Sequence, residues 1–357
     1  MTGREITQMA FALKEPPRLP VTVIAGGSWM AHQAGKTFVE IKEVPEKIAA
    51  ISIQAFERVG HDLLWTGSNF VNYPFHFLGC PIKDDSSDSP ALVGTVIQSL
   101  KEVDSLNIQR VMEAPTMQGI IRSHHIVAES IGKKTFVMAT QWAPLSSAAR
   151  ILGVEAVMTA TIEDPEGLLR LLDFSTELTW AVLEPILDHP DILGANFADP
   201  VASGDMISPQ TFRRFAAPFL KKLVKRVKDK GKYSMIHICG NTSKILQDVA
   251  EIGPNCFSLE KKVDLRQAKE VLGGKVCVAG NVSPTGAFLN GRPEEVLAEA
   301  KDCVRAWGPG GGFILTLGCD FPKTVPLENV LALMSMKQQI PGEGIGYNII
   351  LRKSGDT

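Results

Sequence analysis

The chain alternates between short apolar runs and longer segments whose apolar residues recur every three to four positions. The short runs are typical of buried parallel strands, and the longer segments are typical of helices that cover such strands. Eight runs predict strands: Pro20–Gly26, Asp62–Thr66, Thr135–Thr140, Ile192–Phe197, Tyr233–Cys239, Cys256–Leu259, Val276–Ala279 and Phe313–Leu317. Eight strands alternating with helices predict an α/β fold, a single (β/α)8 TIM barrel. An open, doubly wound parallel sheet is the alternative.

The segments between the predicted strands have the periodicity of amphipathic helices. The predicted helices are Pro45–Val59, Pro165–Leu187, Pro209–Lys230, Ser243–Ile252, Leu265–Leu272, Pro293–Trp307 and Leu327–Gln338. Three of these helices start at good capping residues, namely Asp164, Ser208 and Asp264.

The stretch Asn69–Lys134 contains little strand pattern. We expect it to form an inserted excursion after the second strand, near the carboxyl end of the barrel, with helices at Val93–Glu102 and Pro115–Ile131. No linker, internal repeat or low-complexity segment divides the chain, so residues 1–357 are expected to form a single domain.

Composition excludes several classes of protein. The 357 residues include 37 Lys and Arg against 39 Asp and Glu, a formal net charge of -2, so no nucleic-acid partner is expected. No apolar run approaches the roughly 20 residues needed to cross a bilayer, and the N-terminus lacks an apolar signal core, so no membrane partner is expected. Six scattered cysteines argue against a disulfide framework and favour a reducing, cytoplasmic setting.

Polar residues at the ends of the predicted strands are the candidates for chemistry, because barrel enzymes react at the carboxyl ends of their strands. These residues are Gln141, Asp199, His237, Cys239, Glu260, Asn281 and Cys319.

His237, Cys239 and Cys319 form the clearest pattern. His237 and Cys239 lie two residues apart at the end of one strand, so both side chains project from the same face. Imidazole nitrogen and thiolate sulfur are zinc ligands, and Cys319, after the eighth strand, faces the same mouth. The three residues predict a catalytic zinc site with one open coordination position. The alternative is that all three are ordinary buried residues of the barrel.

Six segments also carry a resemblance to a known family: MAHQAGKTF (Met30–Phe38), WAPLSSAARILG (Trp142–Gly153), DPVASGDMISPQTF (Asp199–Phe212), IHICGNTSKIL (Ile236–Leu246), VAGNVSP (Val278–Pro284) and LTLGCDFPKTVPLENV (Leu315–Val330). The chain resembles the uroporphyrinogen decarboxylase superfamily and, through HICGNT and GCDFP, its branch of methylcobamide:coenzyme M methyltransferases. The resemblance implies that His237, Cys239 and Cys319 bind zinc. It also implies that a methyl group moves between a corrinoid and a thiol such as coenzyme M.

The decarboxylase activity of that superfamily is not expected here. Its carboxylate-binding Arg pair is replaced by His32 and Lys36, and the segment Leu64–Ser68 lacks the family's essential Asp. The resemblance also places Arg150 where the decarboxylase has a Tyr and Cys319 where it has a His.

The corrinoid is expected to come from a partner protein. Corrinoid-carrying domains of known families use an Asp-x-His-x-x-Gly loop, and the sequence contains no such string. Aromatic residues of the second strand and of the excursion are predicted to form part of the surface on which this partner protein docks. The alternative is that they form an ordinary hydrophobic lid. The residues are Trp65, Phe70, Tyr73, Phe75 and Phe77.

The small-molecule substrate is the methyl acceptor or donor. Coenzyme M carries a sulfonate, which requires a cation near the zinc, and Arg150, Lys36 and His32 are the candidates. Arg150 is favoured because a guanidinium pairs with two sulfonate oxygens at once. An ion pair between Arg150 and Asp199 is the alternative.

The remaining strand-end residues have weaker predicted roles. Asp199, Asp320 and Glu260 are expected to orient the zinc ligands or to fill the open zinc position, with helix capping as the alternative. Gln141 and Asn281 are candidates for polar contacts with substrate or corrinoid. Two other functions stay open: demethylation of a methyl ether or methanol onto cobalt(I), and a non-catalytic metal-binding partner of a corrinoid protein.

Overall fold

A computed structural model describes residues 1–84 and 88–338 of the chain. Its strands are β1 (Leu63–Thr66), β2 (Ile82–Lys83), β3 (Ala91–Leu92), β4 (Phe136–Trp142), β5 (Ile192–Ala198), β6 (Tyr233–Ile238), β7 (Cys256–Leu259), β8 (Cys277–Val282) and β9 (Phe313–Leu317). β2 and β3 form a small antiparallel hairpin. The other seven strands form one parallel sheet in the order β1-β4-β5-β6-β7-β8-β9.

The strand order decides between the two predicted architectures. Every neighbour in the main sheet is the next main-sheet strand along the chain. A doubly wound sheet reverses its strand order at a switch point, so this sheet is of the α/β barrel type. The predicted barrel class is therefore confirmed.

The first predicted strand, Pro20–Gly26, is wrong as a regular strand. Only Val21 forms a parallel bridge, to Leu315 of β9, and its carbonyl accepts a bond from the Asp62 amide next to β1 at 3.3 Å. The segment thus connects the two edges of the sheet without extending along them. Ala25 and Gly26 have φ values of 57° and 70°, which turn the backbone out of the extended conformation.

The helices alternate with the strands and cover the sheet. They are α1 (Gly3–Phe11), α2 (Gly27–Gln33), α3 (Phe38–Ile41), α4 (Pro45–Val59), α5 (Tyr73–Phe77), α6 (Ile108–Met112), α7 (Pro115–Ile131), α8 (Pro144–Leu152), α9 (Val154–Glu163), α10 (Pro165–Leu187), α11 (Pro209–Phe215), α12 (Ala217–Asp229), α13 (Leu246–Ile252), α14 (Leu265–Leu272), α15 (Ala287–Asn290), α16 (Pro293–Trp307) and α17 (Leu327–Ser335). Short 3-10 helices are Leu100–Ser105, Pro200–Ala202, Ser243–Ile245 and Met336–Gln338.

Most predicted helices are confirmed, although the one over Ser243–Ile252 begins, and the one over Leu327–Gln338 ends, as a 3-10 helix. Two others differ for local reasons. The helix predicted over Pro209–Lys230 divides at Ala216, because Pro218 cannot donate the backbone bond that would continue α11. The helix predicted over Val93–Glu102 is wrong. There the amides of Val96 and Ile97 both donate to the carbonyl of Ile151 in α8. These amides therefore do not donate to carbonyls of their own segment, as they would in a helix.

The two ends of the sheet differ in character. At the amino ends, Phe11 of α1 packs against the first residues of β4 and β6, with ring centroids 5.0 Å from Phe136 and 5.6 Å from Tyr233. This apolar plug closes one end of the barrel and leaves the carboxyl ends of the strands as the mouth. Within the described residues no single helix has the length and apolar character to span a membrane; only the bent pair α8 and α9 passes when taken together.

Candidate metal centre

The side chains of His237, Cys239 and Cys319 converge at the mouth. His237 lies in β6, and Cys239 follows the end of that strand; Cys319 lies two residues beyond β9. His237 Nε2 is 3.2 Å from Cys239 Sγ, which is 3.3 Å from Cys319 Sγ. The candidate ligand atoms all lie within 4.8 Å of one another. Two distant parts of the sequence therefore present three metal-binding atoms to one point.

Local structure holds two of these residues in place. His237 lies two residues after Met235, an inward-facing residue of β6, so both side chains share a face and the His237 ring enters the barrel. Its Nδ1 is 3.0 Å from Ser258 Oγ on β7, and that contact leaves Nε2 directed to the sulfurs. Gly240, at φ 73°, turns the chain directly after Cys239, and a Cβ there would lie 2.3 Å from Ser203 Oγ. The sequence pattern gave no sign of the role of Ser258.

The two thiols are electrostatically linked. Contacts with Cys239 and His237 lower the pKa of Cys319, whereas Cys319 and burial raise the pKa of Cys239. One proton is therefore lost easily from the pair, and the second thiolate needs a nearby positive charge. A divalent metal supplies that charge.

The donor set and its spacing fit zinc. Two thiolates bound at about 2.3 Å in a tetrahedral site stand about 3.8 Å apart, and Cys239 and Cys319 need to separate by only a few tenths of an ångström to reach that spacing. The atoms are a nitrogen and two sulfurs, the combination of a zinc site with three protein ligands. The fit leaves one coordination position for another ligand.

Two carboxylates organise the loops around the centre. Glu260, which follows β7, accepts a bond from the Gly240 amide. Asp320 accepts bonds from the amides of Gly26 at 2.7 Å and Phe321 at 2.8 Å, and burial raises the pKa of Asp320. Glu260 therefore fixes the backbone after Cys239, and Asp320 fixes the backbone after Cys319.

Asp199 is fully buried after β5. Its Oδ1 accepts bonds from the Ser146 amide at 2.9 Å and the Ser146 hydroxyl at 2.6 Å, while its Oδ2 has no hydrogen-bond partner within the described structure. Burial raises the pKa of Asp199 to about 7, against the lowering effect of Ser146 and Arg150. Asp199 thus fixes the first turn of α8 to the end of β5.

Arg150 forms a stacked group on α8. Its guanidinium carbon lies 3.6 Å from the centre of the Trp142 ring. Nε donates to Asn72 Oδ1 at 3.2 Å, and Nη1 donates to the Ser146 carbonyl at 3.1 Å. An ion pair between Arg150 and Asp199 was the alternative expected from the sequence. The salt bridges of the described residues do not include it. Burial lowers the pKa of Arg150 to about 10, so the group stays cationic at neutral pH without a carboxylate in contact.

The other predicted substrate residues have different positions. Gln141 lies buried on the outward face of β4, with its Oε1 accepting from the Trp142 amide at 2.8 Å. The Asn281 amide donates to the carbonyls of Glu260 at 3.1 Å and Val263 at 2.9 Å. His32 and Lys36 are exposed, in and after α2. The Gln141 contact and both bonds donated by Asn281 are thus made to backbone, while Asn281 Oδ1 accepts from the buried Cys303 thiol at 3.5 Å.

The predicted aromatic docking surface is wrong. Phe70, Tyr73 and Phe75 are buried in the core, and Phe77 packs against it. Ring contacts such as Phe38 to Phe70, at 5.8 Å, explain their burial. Trp65 is also buried, with its ring 5.9 Å from that of His237.

The fold and the site define the class of protein: an α/β barrel with a cysteine- and histidine-rich centre at its mouth. The family model "Uroporphyrinogen decarboxylase (URO-D)" matches residues 2–340. The chain belongs to the uroporphyrinogen decarboxylase family.

Similar proteins include members with two different activities. The methylcobamide:CoM methyltransferase MtaA of Methanosarcina barkeri is 27% identical over 346 residues, covering 93% of this chain and 97% of that protein. The uroporphyrinogen decarboxylase of Synechococcus sp. is 28% identical over 323 residues, covering 84% and 88%. A solved methyltransferase from Methanosarcina mazei has the same fold, with a TM-score of 0.84 at 24% identity over 95% of this chain and 98% of that one. Because the identities are so alike, the site residues must distinguish the two activities.

Proposed function

We propose that this protein is a zinc-dependent methyltransferase that exchanges a methyl group between the cobalt of a corrinoid and the sulfur of a small thiol such as coenzyme M. The convergence of His237, Cys239 and Cys319 carries the proposal. The similarity to MtaA over 93% of this chain supports the same reaction class.

The three residues have complementary roles in holding the metal. His237 gives a neutral nitrogen whose ring orientation Ser258 maintains. Cys239 and Cys319 give two negative sulfurs, so the residues leave one coordination position for the substrate. Zinc, when bound there, supplies the positive charge that keeps a substrate thiol deprotonated at neutral pH.

Arg150 is the residue we assign to the charged end of the substrate. It is a cation without a contacting carboxylate, held flat on Trp142, and a guanidinium binds two oxygens of a sulfonate or carboxylate together. Lys36 and His32 stay secondary candidates, because exposed cations bind weakly in water. Asp199 contributes by anchoring α8, the helix that carries Arg150.

The decarboxylase activity is disfavoured by the geometry near β1. The residues after Trp65 and Thr66 are Gly67 and Ser68, near which the family resemblance expects an Asp. Gly67 has φ 80°, and a Cβ there would lie 2.6 Å from the ring of His124. An acidic side chain therefore does not fit in this position without movement of the buried histidine.

The corrinoid is assigned to a separate protein, because the chain lacks the Asp-x-His-x-x-Gly loop. A reducing compartment such as the cytoplasm suits the six cysteines, all of which are free thiols. Such a compartment also keeps the proposed ligands available to a metal.

The test is to mix zinc-loaded protein with free methylcobalamin and 2-mercaptoethanesulfonate and to follow the cobalt absorption spectrum. We expect loss of the methylcobalamin spectrum together with formation of the methyl thioether. No reaction with any thiol, but methylation of cobalt(I) by methanol or a methyl ether, would instead support demethylation. Conversion of uroporphyrinogen to coproporphyrinogen would contradict the proposal directly.

A further inference from the structure

The groups that contact the half-buried Arg150 guanidinium are all neutral. Its Nε donates to Asn72 Oδ1 at 3.2 Å, its Nη1 donates to the Ser146 carbonyl at 3.1 Å, and its carbon lies 3.6 Å from the centre of the Trp142 ring. In the described part of the chain no carboxylate forms a salt bridge with it, and Asp199 acts on its charge only from beyond ion-pair distance. Because cations withdrawn from water are normally paired, these neutral surroundings favour an anionic ligand.

The Asn72 side chain occupies the place beside Arg150 where an acid would form an ion pair. Its Oδ1 also accepts from Trp142 Nε1 at 2.8 Å, and its Nδ2 donates to the Pro90 carbonyl at 2.8 Å. Both partners of Oδ1 can only donate and the partner of Nδ2 can only accept, so these contacts fix the orientation of the amide. Asn72 precedes α5 without capping it through its side chain. The side chain therefore serves the Arg150 group and not the helix.

An aspartate has nearly the same shape as Asn72 and would act differently on the guanidinium. A carboxylate oxygen would accept from the same two donors, but its charge would pair with that of Arg150. The amide oxygen accepts both bonds without adding a negative charge. The amide thus holds the guanidinium in place and keeps its positive charge available to another anion.

Arg150 also keeps N–H groups available to a ligand. Among the described residues no atom accepts a bond from its Nη2, and Nη2 is not one of the polar atoms enclosed by protein. A guanidinium binds a sulfonate or a carboxylate through two N–H groups at once. The outer edge of the guanidinium therefore has the donors that such a contact requires.

A short series of hydrogen bonds joins the Arg150 group to the metal centre. Ser146, whose carbonyl accepts from Arg150, donates its amide and hydroxyl to Asp199 Oδ1. The Asp199 amide donates in turn to the His237 carbonyl at 2.8 Å. Arg150 therefore shares the mouth of the barrel with a candidate metal ligand. This position favours a ligand that carries its anionic group at one end and its metal-binding atom at the other.

We propose that Asn72 is a positioning residue that makes the site selective for thiols with an anionic end, because it holds Arg150 without neutralising it. The inference rests on the proposed function, which places a thiol at the metal centre. A single neutral side chain then decides between anionic, uncharged and cationic substrates.

The test compares two substitutions of Asn72. Asn72→Asp keeps the oxygen that accepts from Trp142 and Arg150 and adds a negative charge. Asn72→Ala removes that oxygen and adds no charge. Both variants lose the bond to the Pro90 carbonyl, so the difference between them reports the effect of charge and not of lost support.

Asn255→Asp is the matched control. Asn255 is as buried as Asn72, and its Oδ1 also accepts two bonds, from the amide and the hydroxyl of Ser234. It directly precedes β7, at the end of the barrel opposite the metal centre. An added charge there should leave the choice of thiol unchanged.

Three small thiols serve as acceptors of the methyl group of methylcobalamin: 2-mercaptoethanesulfonate, mercaptoethanol and 2-mercaptoethylamine. At neutral pH they are anionic, uncharged and cationic. We expect Asn72→Asp to raise the KM for the sulfonate at least tenfold, to change the KM for mercaptoethanol at most threefold and to lower the KM for the amine. Asn72→Ala should raise the KM for the sulfonate less than Asn72→Asp does.

Two results would overturn the inference. One is an unchanged KM for the sulfonate in Asn72→Asp. The other is an equal effect of Asn72→Asp and Asn72→Ala on all three thiols, since Asn72 would then only support the local structure. The unchanged protein provides a test that depends on no variant: its kcat/KM should be at least tenfold higher for the sulfonate than for the amine, and the lack of this preference would also overturn the inference.

Direct binding of 2-mercaptoethanesulfonate to the zinc-loaded protein, measured by calorimetry, distinguishes failure of the inference from failure of the proposed function. Binding that Asn72→Asp weakens at least tenfold, without methyl transfer to the thiol, would keep the role of Asn72 and refute the proposed function. Methyl transfer to all three thiols with equal KM values would keep the function and refute the role of Asn72.

Discussion

The metal centre and the Arg150 group lie at the same end of the barrel, but their polar atoms are satisfied differently. His237, Cys239 and Cys319 direct their donor atoms at one another, and the fixed support is Ser258 on the far side of the histidine ring. Arg150 instead bonds to Asn72 and to the Ser146 carbonyl. Two of its N–H groups are bonded, and within the described residues no carboxylate forms a salt bridge with it, although the charges of Arg150 and Asp199 interact.

This difference indicates what each region lacks. Two thiols in contact lose both protons readily only beside a cation, so His237, Cys239 and Cys319 are suited to a metal. Arg150 is held against Trp142, and under the proposed function a substrate would bring the negative charge to it. The comparison predicts that substitutions of His237, Cys239 or Cys319 change the metal content, whereas substitutions of Arg150 change the choice of substrate.

The largest effect on activity is expected from substitution of a candidate zinc ligand. Cys319→Ala removes one of three zinc ligands, and the protein should then retain little zinc and no methyl transfer activity. Metal analysis after dialysis measures this, and Cys80→Ala, at a buried thiol of the core, is the control that should keep one zinc per chain. Full zinc content in Cys319→Ala with unchanged activity would falsify the proposed centre.

The next effect is expected at Arg150. Arg150→Ala should weaken binding of 2-mercaptoethanesulfonate by roughly 2–3 kcal/mol, the usual loss for a hydrogen bond to a charged group. Binding of uncharged mercaptoethanol should change much less, and zinc content should stay at one per chain. The measurement is the KM of each thiol with methylcobalamin. Equal losses for both thiols would remove Arg150 from the substrate site.

A smaller effect is expected at Ser258. Ser258→Ala leaves His237 Nδ1 without its partner, and loss of such a supporting bond typically lowers metal affinity about 10- to 100-fold. Competition with a zinc chelator measures the affinity, and Ser258→Thr, which keeps a hydroxyl, should restore most of it. Ser234→Ala is the control, because that hydroxyl on β6 bonds to Asn255 instead. An affinity unchanged in Ser258→Ala would show that the ring needs no such support.

The sequence predicted those parts of the molecule that depend on local pattern. Strand and helix periodicity identified seven of the main strands and the long helices, such as Pro165–Leu187. His237 and Cys239 were predictable because spacing along one strand fixes which side chains share a face.

What the sequence did not predict depends on contacts between distant segments. Ser258 supports His237 across two strands, and a lone serine in a strand gives no signal of that contact. The irregular path of residues 93–99 follows from bonds to Ile151, more than 50 positions later. The sequence also does not reveal which polar residues at strand ends are bonded to backbone, so the substrate roles of Gln141 and Asn281 stay predictions.

Asn281 tests that last distinction and should have the smallest effect on the site. It is buried, and its amide satisfies the carbonyls of Glu260 and Val263. Asn281→Ala leaves the Val263 carbonyl without this partner, whereas the Glu260 carbonyl keeps its bond from the Val263 amide, so the free energy of unfolding should fall by roughly 1–3 kcal/mol. Urea denaturation measures this loss. Asn290→Ala is the control, because that exposed amide also bonds a carbonyl, of Thr285, and water replaces it there at little cost. In folded Asn281→Ala protein the zinc content and the KM for thiol should be unchanged. A raised KM without lost stability would instead make Asn281 a substrate contact, as its strand-end position first indicated.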